Sequence, residues 1–155
     1  MKTFAGKWLL IPALLLVGGV ACSSSQGASP ATYKSSTTAG GTVGVALTQW
    51  AVTPTASTIL AGSVTFNVTN RGNIPHEFVV LRTDTPAGAI KIASFENESD
   101  RIDEEHAQTN VGETGDLEPD ASKALSISLT PGHYVFVCNL PSHFRLGMHF
   151  DFTVS

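Results

Sequence analysis

From Thr42 onward the chain alternates apolar and polar residues at the period of a half-buried strand. Val43, Val45 and Leu47 alternate with small or polar neighbours, and Trp50 and Val52 continue the apolar run out of phase. Val64, Phe66 and Val68 interleave with Thr65, Asn67 and Thr69 before a turn at 70–73. His76–Leu81 reads as a buried strand. Leu125, Ile127 and Leu129 alternate with serines ahead of a Pro131-Gly132 turn, and Tyr134–Cys138 and Phe150–Val154 supply two more strands. Short strands separated by turn residues predict an all-β fold, a β-sandwich or barrel. The one stretch with room for a short helix is Pro86–Phe95. Residues 96–120 carry ten of the thirteen acidic residues and few large apolar ones, which predicts a long solvated loop. A docking patch for a cationic redox partner is the other reading of that run.

The N-terminus has a different texture. Lys2 and Lys7 precede the uncharged apolar run Trp8–Val20, followed by Gly19-Val-Ala-Cys22. That order is expected of a secretory signal peptide, and the run is short for a membrane span. The stretch resembles the lipobox of bacterial lipoproteins, with Gly19 in the place usually taken by leucine. The resemblance implies a lipidated Cys22 and an extracytoplasmic, membrane-anchored location. The expected organisation is a cleaved signal over 1–21, a lipid anchor and Ser/Gly/Ala-rich tether over 22–41, and one folded domain over 42–155. A Cys22–Cys138 disulfide is not expected, because Cys22 lies outside any foldable core.

Charge narrows the choice of partner. The chain has nine Lys and Arg against thirteen Asp and Glu; loss of Lys2 and Lys7 with the signal leaves seven basic residues and a net charge of −6. That excludes nucleic acid, which is held by clustered cations. Asn67-Val-Thr69 and Asn97-Glu-Ser99 match the glycosylation pattern, accidentally in a bacterial lipoprotein.

The chemistry lies near the C-terminus. Cys138, His143 and Met148 stand five residues apart straight after a strand, with Tyr134, Phe136 and Cys138 on one side of it. Pro141 and Gly147 shape the loop, so the three side chains can converge at one end of a sandwich. His76, at the mouth of another strand, either completes the set or is a core-edge histidine. A thiolate and two imidazoles with a weak thioether form the ligand set of an electron-transfer copper site, whereas zinc prefers four strong ligands. Leu140, Phe144 and Leu146 surround His143 in sequence and are expected to keep water off the metal, leaving an imidazole edge as the electron port. His149 is expected to point away from Met148, His133 to be a turn residue, and His106, beside Glu104 and Glu105, to sit in the solvated run.

Asn73-Ile-Pro-His76-Glu-Phe and Pro131-Gly-His-Tyr-Val-Phe-Val-Cys138-Asn-Leu-Pro-Ser-His143-Phe-Arg-Leu-Gly-Met148 together resemble the cupredoxin (blue copper) family, in particular its small plastocyanin- and rusticyanin-like electron carriers. The resemblance covers about residues 42–155. It implies a Greek-key β-sandwich with one mononuclear type 1 copper on His76, Cys138, His143 and Met148. It further implies a monomer exchanging single electrons with a donor and an acceptor protein, and not an enzyme. A copper-delivery protein using the same site is the alternative. Two departures stand out. Glu77 replaces the asparagine that braces the cysteine loop in plastocyanins and azurins, which leaves Asn73 or the backbone to do so, and the Cys-to-His spacing is longer than in plastocyanin.

Overall fold

The alternation read along the chain becomes burial on one face of each strand. The computed structural model describes residues 39–95, 98–103 and 109–155. Its strands are β1 (Gly41–Thr48), β2 (Ala51–Pro54), β3 (Thr58–Ile59), β4 (Gly62–Asn70), β5 (His76–Arg82), β6 (Ile92–Phe95), β7 (Glu98–Ile102), β8 (Thr109–Leu117), β9 (Ser122–Leu129), β10 (Gly132–Val137) and β11 (His149–Val154). They form one sheet in the order β2-β1-β4-β9, a second in the order β3-β11-β10-β5-β8, and a separate β6-β7 hairpin. β1 lies parallel to β4, and β3 parallel to β11; β10 runs antiparallel to both of its neighbours.

The main core lies between the two sheets. Val43, Val45 and Leu47 of β1 and Val64, Phe66 and Val68 of β4 meet Phe78 and Val80 of β5, Tyr134 and Phe136 of β10, and Phe152 of β11. The outward faces of β5 and β10 are buried as well. Val79, Leu81, Val135 and Val137 pack with Ala87, Ile90, Ile102 and Phe144 in a second cluster. This double burial explains why residues 78–81 form an unbroken apolar run without alternation. At 1% exposure Tyr134 still satisfies its hydroxyl, which donates to the Thr130 carbonyl at 2.9 Å.

Two sequence expectations are corrected. The acidic stretch contains strands where a loop was expected: β7 and β8 lie within it. β8 is the outer strand of its sheet, and its pairing with β5 shifts register between Glu77 and Val79 and again between Val80 and Leu81. An edge strand needs few apolar residues, and irregular register erases the period-two signal. The segment 86–95 holds only a single 3-10 turn, Ala87–Ala89, before β6. His106, Glu104 and Glu105 lie outside the described residues, as do residues 1–38, on which the expected signal, Cys22 and most of the expected tether fall.

Phe136 sits at the centre of the main core, with ring centroids 4.5 Å from Phe152, 5.0 Å from Phe78 and 5.2 Å from Phe66. Phe136→Ala is expected to destabilise the metal-free domain by about 3–5 kcal/mol. A urea titration followed by circular dichroism measures this, and a loss below about 1 kcal/mol would contradict the assigned core.

Candidate metal centre

The three strongest donors of the sequence analysis meet at one end of the sandwich. His76 opens β5, Cys138 directly follows β10, and His143 lies in the 138–148 loop between β10 and β11. Their ligand atoms all lie within 4.8 Å of one another. His76 Nδ1 stands 3.2 Å from His143 Nδ1, while Cys138 Sγ is 3.2 Å from His143 Nδ1 and 4.0 Å from His76 Nδ1. Met148 reaches the same place through the backbone. The Cys138 N–H donates to the Met148 carbonyl at 3.0 Å, and the Met148 side chain is fully buried in the cluster that holds Cys138. Cys138 and His76 have no exposed surface, and His143 is half-buried.

The loop is wound by its own main chain. N–H groups of His143, Leu146, Gly147 and Met148 donate to the carbonyls of Leu140, Ser142, Phe144 and His143 respectively. Gly147 has φ +117°, and a Cβ there would stand 3.1 Å from the Trp50 carbonyl oxygen. Glycine is needed both for the turn and for the close approach.

Asn139, next to the cysteine, is held on every polar group. Its N–H donates to Glu77 Oε1 (2.9 Å) and its carbonyl accepts from Arg101 Nε (2.8 Å). Its side-chain amide exchanges two bonds with the Ile102 main chain, at 2.7 and 3.0 Å. Glu77 also donates its N–H to Cys138 Sγ at 3.3 Å. The glutamate thus provides the brace expected of Asn73 or the backbone, with the backbone contributing alongside it. Asn73 instead bonds to the Gln49 side chain. Asp100 adds a further clamp: its carbonyl accepts from the Ser142 N–H (3.3 Å), and its carboxylate engages Ser142 Oγ and Arg145. The importance of Glu77, Asn139, Asp100 and Arg101 is not visible along the sequence, because each acts across dozens of residues.

Other expectations about the surroundings resolve in two directions. Phe144 turns away from the metal end into the second core cluster, and Leu146 is 48% exposed. The cover over His143 is Trp50, whose ring centroid lies 5.0 Å from the imidazole. The one warning in the sequence was that Trp50 falls out of phase with β1. His149 packs against Phe144, and His133, which lies in β10 and not in the expected turn, bonds to the Thr83 carbonyl and Asp151, so neither joins the cluster.

A metal fits this geometry. A point equidistant from the two Nδ1 atoms and Sγ lies about 2 Å from each, a metal–imidazole bond length, and a small shift away from the sulfur gives the ~2.3 Å of a metal–thiolate bond. Two imidazole lone pairs facing each other at 3.2 Å repel unless a cation or a proton lies between them. Burial and the neighbouring His143 lower the pKa of His76, and burial lowers that of His143, so both rings are neutral and able to donate. Burial raises the Cys138 thiol to about 11, against the opposing pull of main-chain N–H groups. A bound cation supplies the positive charge that such a thiol needs in order to ionise.

Comparisons with known proteins give the chain a family. The model of the sulfocyanin (SoxE) domain family matches residues 52–155. The chain belongs to that family. With it the chain is a cupredoxin, a blue copper protein whose cofactor is a single type 1 copper. Among solved structures it is similar to the reduced auracyanin of the photosynthetic bacterium Roseiflexus castenholzii, at 18% identity and a TM-score of 0.52 over 75% of this chain and 96% of that one. It is also similar to auracyanin A, a "blue" copper protein of Chloroflexus aurantiacus, at 13% identity and a TM-score of 0.53 over 76% and 100% of the two chains. Rusticyanin of Thiobacillus ferrooxidans aligns at 20% identity and a TM-score of 0.49 over 74% and 76%. No curated protein sequence matches the chain. At these identities the likeness to the two auracyanins shows the fold alone.

The pKa directions give the metal-free protein a bounded window of stability. A thiol whose native pKa is raised above 9.0 keeps its proton longer in the folded state, so its contribution is full below about pH 9 and is lost as pH rises towards 11. The depressed histidines behave in the opposite sense, contributing fully above 6.5 and losing that contribution as pH falls. Urea midpoints of the metal-free protein are expected to be highest between these limits and to fall on both sides. A midpoint that climbs from about pH 9 to 11 would contradict the buried thiol.

Proposed function

We propose that this chain is a membrane-tethered, extracytoplasmic blue copper electron carrier, in which His76, Cys138, His143 and Met148 would hold the copper. The observation that carries this reading is the triangle of two Nδ1 atoms and one Sγ around a point about 2 Å from each, inside a desolvated pocket. A thiolate, two imidazoles and a weak thioether favour copper over zinc. When bound, copper supplies a reversible one-electron couple between Cu(II) and Cu(I).

The chain's own groups set the conditions for that exchange. Cys138 gives up its proton at Sγ as the ligand forms, and the Glu77 N–H remains as a donor to the sulfur. Hydrogen bonds to a ligating sulfur and burial are the protein's means of adjusting a potential. His76 is fully buried at the head of β5, and Asn139 is fixed on all sides, which would hold the donor atoms in place as copper changed oxidation state. A site that moves little exchanges electrons with little reorganisation. Cupredoxins carry electrons and catalyse no bond chemistry.

A copper-delivery role would require the ion to leave readily. The loop closed from Cys138 to Met148 and clamped through Asn139 favours retention. Tethering rests on the lipobox-like Gly19-Val-Ala-Cys22 and the polar segment that follows. Among the described residues no helix is long and apolar enough to cross a membrane. The partners in this reading are a donor and an acceptor protein, each meeting a monomer at the metal end.

Copper(II) added to the wild type is expected to give an intense blue colour from thiolate-to-copper charge transfer, and Cys138→Ser to abolish it. A colourless copper-loaded wild type would refute the type 1 site. Cys22→Ser is expected to move the protein from the membrane fraction to the soluble one without changing the colour. Unchanged membrane association would refute the lipid anchor.

A further inference from the structure

Trp50 stands in the turn between β1 and β2, and its indole meets both histidines of the cluster edge-on. Its centroid lies 5.0 Å from His143 at 68° and 6.4 Å from His76 at 82°. The turn is pinned against the metal end from two sides. The Trp50 carbonyl lies so close to the ligand loop that a Cβ on Gly147 would stand 3.1 Å from it. Gln49, the preceding residue, accepts from the Asn73 N–H, and its side chain and His76 Nε2 both lie against Gly72.

The surroundings explain why the indole matters. Phe144 is turned into the second core cluster and Leu146 is exposed, so neither of these two loop residues shields His143, while Leu140 packs against the cluster that holds Cys138 and Met148. Trp50 covers His143 while keeping 37% of its own surface exposed. His76 Nε2 is buried beneath the turn at Gly72. A lone exposed tryptophan is ordinary, but one in ring contact with two metal-donor histidines is not. Residues of this outer shell govern solvent access to a metal.

We propose that Trp50 is the gate residue of the metal centre: its indole, rather than a bare His143 edge, is the surface that chelators and one-electron reagents must pass. This rests on the copper reading above. The exchange it controls moves one electron and makes or breaks no bond. A reagent such as hexaammineruthenium(II) becomes ruthenium(III) as copper(II) becomes copper(I).

The test uses the full chain with Trp8→Phe, which leaves Trp50 as the only tryptophan. Copper(II) is expected to quench the Trp50 emission, and unchanged emission in a blue protein would overturn the placement. In Trp50→Ala the blue band is expected to remain while EDTA removes copper about tenfold faster. Reduction by hexaammineruthenium(II) is expected to accelerate, and Trp50→Phe to restore both rates towards wild type. Equal rates in Trp50→Ala and wild type would overturn the gate. Should Trp50→Ala fail to hold copper, Trp50→Leu decides by the same two rates, since it fills space without a ring. A wild type that never turns blue refutes the copper reading instead, so the two failures are distinct.

Discussion

The main-chain hydrogen bond from Cys138 to Met148 converts the segment between them into a closed ring, and the metal end depends on that closure. Without it β10 and β11 would diverge beyond their last paired residues, Val137 and His149. With it, the two sulfur residues emerge at one level, and the turn between them brings His143 back over the strand ends. The five-residue spacings are therefore a consequence of loop closure. They place donors by ring geometry, whereas His76 is placed independently by the sheet.

The ring is held from outside by a hairpin that the sandwich itself does not require. β7 presents Asp100, Arg101 and Ile102 to Ser142, Arg145 and Asn139, so the hydrogen bonds fall on the residue after the cysteine and the residue before the histidine. From the inner side, Glu77 holds the same Asn139 N–H and gives its own N–H to the sulfur. Asn139 is thus gripped between a strand of the main sheet and a strand of the hairpin. A buried polar residue with all its groups bonded specifies one position, since any displacement leaves several groups unsatisfied.

The legibility of these features in the sequence follows from the range over which each acts. β1, β4, β9 and β11 show alternation because one face of each meets core and the other meets solvent, and the eye needs only neighbouring residues to see it. β5 was legible by its continuous apolar run, since both its faces are covered. β8 was not: two register shifts and an outer position leave Thr114 and Leu117 as its only fully buried residues. The cysteine, histidine and methionine of the ligand loop were legible because local spacing carries them. Glu77 acting on Asn139 across 62 residues was not, and reading it as a missing asparagine led towards Asn73. Trp50 lay between these cases, visible as a break in phase whose cause is that its side chain serves the metal end rather than the core.

One asymmetry follows from this arrangement. Cys138 and His76 are sealed by the sheets, with no exposed surface, and a reagent cannot approach along either. His143 is the donor furthest from the core, yet the residues next to it in sequence do not shield it: Phe144 anchors the loop to the second cluster, and that same anchoring turns it away from the metal. Shielding then has to come from a separate element, and the β1–β2 turn supplies it. The loop's stability and the site's access are thereby assigned to different residues. Phe144 can change without opening the site directly, and Trp50 can change without releasing the loop. A family that keeps the ring and varies the turn would keep its metal while altering how fast that metal is reached.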